Sequence, residues 1–278
     1  MRVLLFLFFQ QPVRYRRKCV KFIAVSEDPF HEIEYRSAGR GGEIRKVVLP
    51  FYKAIVDELP KGVSSYVITS DLQGREQNIK TNRLVGEVVA EELSLLSELG
   101  EIPSIGFVAL AGDFYDHPNL HKVGGTGDVT DVWNAFAKEF NLVVGVLGNH
   151  DIIQEQHLAS NTIVLDGNSD NCLGVRIGGV SGIVGRSGRN QRKSQQEFMS
   201  ALAKVTNVKN DLILLHQGPK GTTNSQLGDS EITNHLLLKS KGIVAFGHRH
   251  WSKPFIEIGK NQVLNVDKRL YLVTTANA

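Results

Sequence analysis

The stretch Leu142-Val143-Val144-Gly145-Val146-Leu147-Gly148-Asn149-His150-Asp151 joins an apolar run to a short polar motif. The run is typical of a buried strand, and the motif carries an amide, an imidazole and a carboxylate, which are all metal-ligand types. Four more motifs follow strand-like runs in the same way: Asp71-Leu72-Gln73-Gly74, Gly112-Asp113, Leu215-His216-Gln217-Gly218 and Gly247-His248-Arg249-His250. Because open α/β sheets bind ligands at the carboxyl ends of their strands, the pattern predicts a site for one or two divalent metals.

The segments between the motifs predict an α/β fold. Apolar residues at helical intervals predict a helix over residues 81–99, and a second helix is predicted at 130–140. With the first three motif strands they form a βαβαβ run, which favours parallel strands with right-handed crossovers. The remaining predicted elements are helices at 191–205 and 231–240, short strands at 162–165 and 175–184, and a terminal meander of strands at 255–258, 262–266 and 270–274.

The beginning of the chain is predicted to be an N-terminal extension. Residues 1–45 form this extension, which ends in the glycine-rich turn Gly39-Arg40-Gly41-Gly42, and residues 46–278 form the main domain. Pro50 and Pro60 bracket a predicted short helix at 51–59. The apolar run at residues 3–9 is followed rather than preceded by most of its basic residues, unlike a secretory signal. A bilayer span needs about 20 residues, so we expect no membrane span.

The composition narrows the function classes. The chain has 278 residues, of which 41% are hydrophobic, enough for a sizeable core. The formal net charge of +3 does not by itself indicate a nucleic-acid partner. The two cysteines, Cys19 and Cys172, are far apart and lie in none of the motifs, which argues against a disulfide framework and against a cysteine nucleophile. We expect a reducing, cytoplasmic location.

The order of the five motifs resembles the calcineurin-like metallophosphoesterase superfamily over about residues 65–250. That pattern is Asp-x-His, Gly-Asp, Gly-Asn-His-Asp/Glu, a lone His and Gly-His-x-His. The resemblance implies a four-layer α/β/β/α sandwich. One position departs from the pattern, because Gln73 stands where the family has the histidine of Asp-x-His. An amide oxygen binds a divalent cation more weakly than an imidazole, so the first metal position is the one affected.

The resemblance also implies a set of ligands for two divalent metals, with Asp113 bridging them. The first metal takes Asp71 and His250, with Gln73 as a weak or water-mediated ligand, and the second takes Asn149, His216 and His248. Mn²⁺ is the preferred metal, with Fe, Zn, Ni and Co as alternatives. By the same resemblance, a water activated by both metals attacks phosphorus directly, without a protein nucleophile.

Two residues beyond the ligands are candidate catalytic residues. His150 is expected to protonate the leaving oxygen or to stabilise the transition state, and Asp151 either holds the His150 ring or caps a turn. Three arginines are candidate phosphate contacts, with a solvated surface as the alternative: Arg75, Arg186 and Arg249.

Three functions remain open from the sequence. The first is a metal-dependent hydrolase of phosphate esters, either a phosphomonoesterase or a phosphodiesterase, acting on a small phosphorylated substrate. The second, motivated by Gln73, is a non-catalytic binding scaffold with the same fold. The third is a nuclease of the same superfamily, which the arginines support only weakly. The sequence carries no signal for an oligomeric state.

Overall fold

The computed structural model describes residues 20–76, 78 and 80–276. The apolar run at residues 3–9 and Cys19 lie outside this part of the chain. Two β-sheets stack face to face, and each is covered by a pair of helices on its outer surface. The chain therefore forms a four-layer α/β/β/α sandwich, which confirms the predicted fold class.

The strands follow one another in short segments, with the helices between them. The strands are β1 (Phe22–Val25), β2 (His31–Ala38), β3 (Ile44–Val56), β4 (Ser65–Ser70), β5 (Ile105–Leu110), β6 (Gly127–Asp128), β7 (Val143–Gly145), β8 (Asp151–Ile152), β9 (Thr162–Val164), β10 (Asn168–Cys172), β11 (Val175–Val180), β12 (Ile183–Val184), β13 (Arg192–Lys193), β14 (Leu212–Gln217), β15 (Lys241–Gly247), β16 (Phe255–Ile258), β17 (Lys260–Asn265) and β18 (Arg269–Thr275). The α-helices are α1 (Val85–Glu98), α2 (Thr130–Glu139), α3 (Gln195–Thr206) and α4 (Ser230–Lys239), and short 3₁₀ turns occur at Arg40–Gly42 and Glu155–His157. Each of these α-helices lies within a few residues of a predicted one.

The strand order gathers the motif loops at one edge. The first sheet runs β1-β3-β18-β4-β5-β7-β9, with β2 also paired to β3, and β4, β5 and β7 are parallel. The second sheet runs β10-β11-β14-β15-β17-β16, and its strands β11, β14, β15 and β17 are parallel. Parallel strands end at the same edge of a sheet, so the loops after β4, β5, β7, β14 and β15 lie close to one another.

Three apolar layers hold the sandwich together. Between the sheets, the rings of Tyr66 and Phe107 stack with their centroids 4.7 Å apart. On the outer face of the first sheet, Trp133 of α2 is fully buried, and Phe198 of α3 and Leu236 of α4 are buried on the second. Each such side chain contributes about 1.5–3 kcal/mol on burial, so the sheet edge that carries the motifs rests on a rigid support.

Two helices begin at capping residues that the sequence contains. Ser194 Oγ accepts a hydrogen bond from Glu197 N at 3.3 Å, and Glu197 Oε2 accepts one from Ser194 N at 2.8 Å. This capping box starts α3. Asp229 Oδ1 accepts hydrogen bonds from Glu231 N at 2.8 Å and Ile232 N at 3.1 Å, which starts α4.

The predicted helix at residues 51–59 is wrong, because β3 occupies most of this segment. Ala54 and Val56 are buried two residues apart, which is the period of a strand with one covered face. The prolines at either side had suggested helix ends.

The expected boundary between residues 45 and 46 lies inside β3, and β2 pairs along the first part of the same strand. The strands β1, β2 and β3 thus belong to the same sheet as β4, β5, β7, β9 and β18.

The predicted terminal meander is only partly present. Strands β16 and β17 are antiparallel neighbours, as expected. In contrast, β18 crosses to the first sheet and inserts between β3 and β4. Its residues 269–274 are buried without interruption, which is typical of a central strand covered on both faces. The crossover carries the turn between β17 and β18 past the carboxyl end of β4.

Within the described ranges, no helix is long and apolar enough to cross a membrane.

Candidate metal centre

Residues of all five motifs follow strand ends at the common edge. Asp71 comes directly after β4, and Asp113 lies three residues beyond the end of β5. Asn149 follows β7, His216 is the penultimate residue of β14, and His248 comes directly after β15. The sheet topology therefore brings together residues that are up to 177 positions apart, as in the hydrogen bond from His248 N to Asp71 Oδ2 at 2.9 Å.

Three of these residues have a left-handed backbone conformation. The φ angles are 57° at Asp71, 59° at Asp113 and 66° at His248. A residue other than glycine rarely adopts this conformation, and it persists only where the surroundings enforce it. Hydrogen bonds do so here: Asp71 N donates to Gly112 O at 2.8 Å, and Asp113 N donates to Asp151 Oδ2 at 2.7 Å. The backbone turns sharply at each ligand position and aims the side chains inward.

Two motif glycines allow the carboxylates to come close to a neighbouring loop. A Cβ atom on Gly148 would lie 2.0 Å from Asp113 Oδ1, and one on Gly247 would lie 2.2 Å from Asp71 Oδ2. Neither distance is compatible with a side chain. The glycines that the motifs contain are therefore required by the packing of one motif against the next.

Asp113, His216 and His248 form the centre of the site. Their ligand atoms all lie within 4.8 Å of one another. His216 Nε2 is 3.3 Å from Asp113 Oδ2, and the His216 and His248 ring centroids are 5.1 Å apart. His216 Nδ1 is 2.9 Å from Ala111 O, which requires the proton on Nδ1 and leaves Nε2 free to bind an ion.

Two buried atoms of this centre lack a hydrogen-bond partner. They are Asn149 Oδ1 and His216 Nε2, neither of which has one among the described residues, and the 3.3 Å contact of the latter with Asp113 Oδ2 lacks the geometry of a hydrogen bond. Buried polar atoms are nearly always satisfied, and an unsatisfied one calls for an explanation such as an ion. Both atoms are metal-ligand types, and together with Asp113 and His248 they fit the oxygen and nitrogen preference of a divalent transition metal.

The protonation of the two imidazoles supports the same interpretation. Burial acts to lower the pKa of His216, but the charge of Asp113 and the contact with it outweigh burial and raise this pKa to about 10. Burial, followed by the charge on His216, lowers the pKa of His248 to about 3. At neutral pH His216 is thus positively charged beside the Asp113 carboxylate and His248 is neutral, and a cation that binds there displaces the added proton of His216.

The region around Asp71 differs from this centre. Asp71 Oδ2 accepts hydrogen bonds from Ser70 Oγ at 2.6 Å and from His248 N. Burial, and next the charge of Asp267, hold the pKa of Asp71 well above its usual value. Gln73 is half-buried, and its side chain makes no hydrogen bond with the described part of the chain. The structure therefore places Asp71 at the edge of the centre and gives the Gln73 side chain no hydrogen bond with described residues.

His250 stands outside the group formed by Asp113, His216 and His248. Its Nδ1 lies 3.3 Å from both the backbone oxygen and Oδ1 of Asp267, and its Nε2 accepts a hydrogen bond from Arg269 Nη2 at 3.1 Å. Strand β15 ends at Gly247, so the two histidines of this motif lie in a turn. The alternation of side chains along a strand therefore does not decide where these two imidazoles point.

Asp151 connects two loops in this structure and does not hold the His150 ring. Its Oδ2 accepts hydrogen bonds from Asp113 N at 2.7 Å and Gly148 N at 2.8 Å, and its Oδ1 accepts one from Phe114 N at 2.8 Å. Burial and the charge of Asp113 raise the pKa of this carboxyl to about 6. His150 Nδ1 is buried without a partner in the described ranges. His150 N donates to Asp113 Oδ1 at 2.9 Å, which keeps the residue beside the centre.

The three candidate phosphate contacts are placed differently from one another. The Arg75 guanidinium donates to the backbone oxygen of Asp116 at 2.8 Å and to that of Asn82 at 2.6 Å, so it is committed to the loops around it. Arg186 and Arg249 are exposed. Only these last two are free to meet a phosphate from solvent.

Two residues near Asp71 were missed by the sequence interpretation. Asp267 follows β17, which is parallel to β15, so it reaches the same edge as the motifs. A strand-end rule applied to every strand would have found it. Tyr35 belongs to β2, and its hydroxyl is buried without a partner in the described chain. No sequence pattern connects this tyrosine with the site.

The fold and this set of side chains define an α/β/β/α protein with a candidate metal site at one edge of the sandwich. A sequence model of the calcineurin-like phosphoesterase family matches residues 65–252. The chain belongs to this family, and the resemblance that the motifs carry is confirmed. Members of the family use divalent metals.

Solved structures share the fold at low sequence identity. Protein TT1561 of Thermus thermophilus is 14% identical with a TM-score of 0.53, and the match covers 74% of this chain and 90% of that one. A 5'-nucleotidase of Candida albicans is 14% identical with a TM-score of 0.41, over 75% of this chain and 46% of that one. A search of curated proteins gave no match.

Proposed function

We propose that the protein is a metal-dependent hydrolase of phosphate esters. The observation that carries the proposal is the convergence of Asp113, His216 and His248, whose ligand atoms lie within 4.8 Å, beside the unsatisfied Asn149 Oδ1. Two divalent ions at this site, with Mn²⁺ preferred, would polarise the phosphoryl oxygens and lower the pKa of the attacking water. Small phosphorylated compounds, as monoesters or diesters, are the proposed substrates.

The side chains divide the remaining work between them. Asp113 is proposed to bridge both ions, with Asn149, His216 and His248 as the other ligands of the second. His150 donates a proton to the leaving oxygen or stabilises the charge on the phosphoryl group, since the hydrogen bond from its backbone to Asp113 keeps it beside the centre. Asp151 maintains the geometry by accepting the backbone N–H groups of the loops that carry Asp113 and Gly148.

The test is hydrolysis of p-nitrophenyl phosphate and bis-p-nitrophenyl phosphate by metal-free protein to which Mn²⁺ is returned. We expect turnover that requires the metal and that falls by about 100-fold or more in His150→Ala, the range of general acid catalysis. His157→Ala is the matched control, because His157 is exposed, and it should keep wild-type turnover. Absence of turnover with every divalent metal and both esters would refute the proposal.

A non-catalytic scaffold is the second candidate. It is favoured by two observations at the first position: the Gln73 side chain makes no hydrogen bond with described residues, and His250 lies outside the central group. A scaffold predicts one bound ion per chain and no ester hydrolysis at saturating metal. The nuclease alternative predicts binding of DNA or RNA that weakens steeply with salt, and salt-independent or absent binding removes it.

The proposed location is a reducing one such as the cytoplasm. Cys172, the one cysteine in the described ranges, is a free and buried thiol, which is the usual state of structural cysteines in reducing compartments.

A further inference from the structure

The first metal position lacks a ligand if it is built from the motifs alone. Gln73 offers an amide where the family has an imidazole, and that amide makes no hydrogen bond with described residues. Asp71 Oδ2 is occupied by two hydrogen bonds, from Ser70 Oγ and His248 N. The other oxygen of Asp71 accepts none from described residues, so it is available for an ion.

We propose that Asp267 supplies the missing ligand, so that the first metal is held by Asp71, Asp113, Asp267 and His250. The inference rests on the proposed two-metal site and deepens it. No motif of the chain contains Asp267, and its place depends on the crossover of β18 between the sheets.

The backbone places Asp267 next to Asp71. Ser70 and Asp267 form a parallel bridge, and Lys268 N donates to Ser70 O at 3.1 Å. The residue directly after Ser70 is Asp71, so the two aspartates lie on adjoining chains at the same edge of the sheet. Asp267 Oδ1 is also 3.3 Å from His250 Nδ1, a spacing that two ligands of one ion can have. Binding of the ion by Nδ1 would move the ring proton to Nε2 and replace the hydrogen bond that Nε2 accepts from Arg269 Nη2.

The surroundings of Asp267 are unusual for a carboxylate without a cation. The residue is only 4% exposed. No lysine or arginine of the described chain makes an ion pair with it, and its one partner of that kind is His250. A buried carboxylate is costly unless it is paired or bound to a metal. A divalent ion between Asp71 and Asp267 would offset this cost at both residues.

Tyr35 provides an independent observation at the same place. The residue is 4% exposed, and its hydroxyl has no hydrogen-bond partner in the described ranges. A Cβ atom on Gly74 would lie 2.4 Å from the Tyr35 ring, so the tyrosine packs against the first motif. Burial, and next the charges of Asp267 and Asp71, hold the pKa of this hydroxyl above its usual value. An unsatisfied phenol beside two acidic groups indicates that a further polar group belongs there, and an ion with its water would provide one.

The chemistry of this set differs from that of the second position. Asp71, Asp113 and Asp267 make the first position rich in carboxylate oxygen, whereas His216 and His248 make the second rich in imidazole. Carboxylates suit Mn²⁺ and Mg²⁺, and imidazoles suit Zn, Fe and Cu. The loss of the family histidine at Gln73 is thus a change of ligand type rather than the loss of a site.

The experiment measures metal binding directly, by elemental analysis and by calorimetric titration of metal-free protein with Mn²⁺. Asp267→Asn removes the charge and keeps the shape. We expect it to retain one ion per chain instead of two, with first-site affinity lowered by at least about tenfold. Gln73→His in the same chain should return the second ion, because it restores the family ligand. Asp28→Asn, an exposed carboxylate in a turn, is the matched control and should bind as wild type does.

A double-mutant cycle distinguishes a direct ligand role of Asp267 from a role in which Asp267 only orients His250. If Asp267 is a ligand, Asp267→Asn weakens binding further in the His250→Ala background. If it only orients His250, that second change has no effect, and the proposal is overturned. It is overturned equally if Asp267→Asn keeps two ions with unchanged affinity. If Asp267→Asn does not fold, Asp267→Ser takes its place in the experiment, because the smaller side chain leaves room for a water molecule.

The outcomes also distinguish this inference from the proposed function. One result would be two ions in the wild type and one in Asp267→Asn, with no ester hydrolysed by either protein. It would support the assignment of Asp267 as a metal ligand and refute the proposed hydrolase activity. A wild-type protein that binds a single ion would overturn the assignment of Asp267 as a ligand of the first metal, whether or not the protein hydrolyses esters.

Discussion

Replacing Gly148 by alanine tests whether the close packing of the motif loops is what positions the Asp113 carboxylate. The added Cβ would lie 2.0 Å from Asp113 Oδ1 and 2.3 Å from Asp113 N. The second contact is with backbone, which cannot swing aside as a long side chain can. The loop after β5 or the loop after β7 must therefore move.

The size of the effect follows from this geometry. Ordinary contacts of a Cβ atom begin near 3.4 Å, so the loops must separate by about 1 Å or more. Overpacking of a tight interior costs about 1–3 kcal/mol of folding stability. Misplacement of a catalytic group by about 1 Å costs about 100-fold in rate, so activity should fall much further than stability.

The assay combines thermal unfolding, Mn²⁺ titration calorimetry and hydrolysis of bis-p-nitrophenyl phosphate. We expect Gly148→Ala to fold, to bind Mn²⁺ at least about tenfold more weakly and to lose most turnover. Gly106→Ala is the matched control, because the atom nearest to its Cβ would be a methyl group of Val63 at 3.2 Å. Wild-type metal affinity in folded Gly148→Ala would refute the argument that this glycine positions Asp113.

Three further predictions concern groups away from the metals. Asp229→Ala should destabilise the protein by about 1 kcal/mol, because α4 loses its N-terminal cap, and an unchanged unfolding midpoint in denaturant would contradict this. Arg75→Ala should lower the melting temperature and leave KM for the ester unchanged, since its guanidinium is bound to backbone oxygens; a raised KM at unchanged stability would show a substrate contact instead. Burial, and next Asp170, raise the pKa of the Cys172 thiol to about 12, so iodoacetamide at about pH 8 should leave this residue unlabelled until the protein is denatured. Peptide mass spectrometry reads out the labelling, and rapid modification of native protein would contradict the burial.

The parts of the site that the sequence predicts are those set by local pattern. Each proposed ligand of the second position lies at the end of a strand-like run or within a few residues after it. Parallel strands bring such positions to one edge whatever their separation along the chain. Asp113, Asn149, His216 and His248 could therefore be predicted to meet. The helices were also predictable from local pattern, because the spacing of apolar residues is a property of a single segment.

The parts that were missed depend on contacts between distant segments. The insertion of β18 between β3 and β4 requires knowledge of which strands pair, and that choice decides the place of Asp267. The strand character of β3 was hidden by two prolines that also suit helix ends. Asp151 was expected to hold the His150 ring or to cap a turn, yet its carboxylate also accepts hydrogen bonds from the N–H groups of residues 113 and 114, on the neighbouring loop.

The most direct test of the account is a single titration of metal-free protein with Mn²⁺, in which bound metal and ester hydrolysis are measured on the same samples. We expect activity to appear with the metal and to reach its maximum when two ions are bound per chain. Hydrolysis that is independent of bound metal, or full occupancy without any hydrolysis of either ester, would contradict the proposal that this edge of the sandwich is a metal-dependent phosphoesterase site.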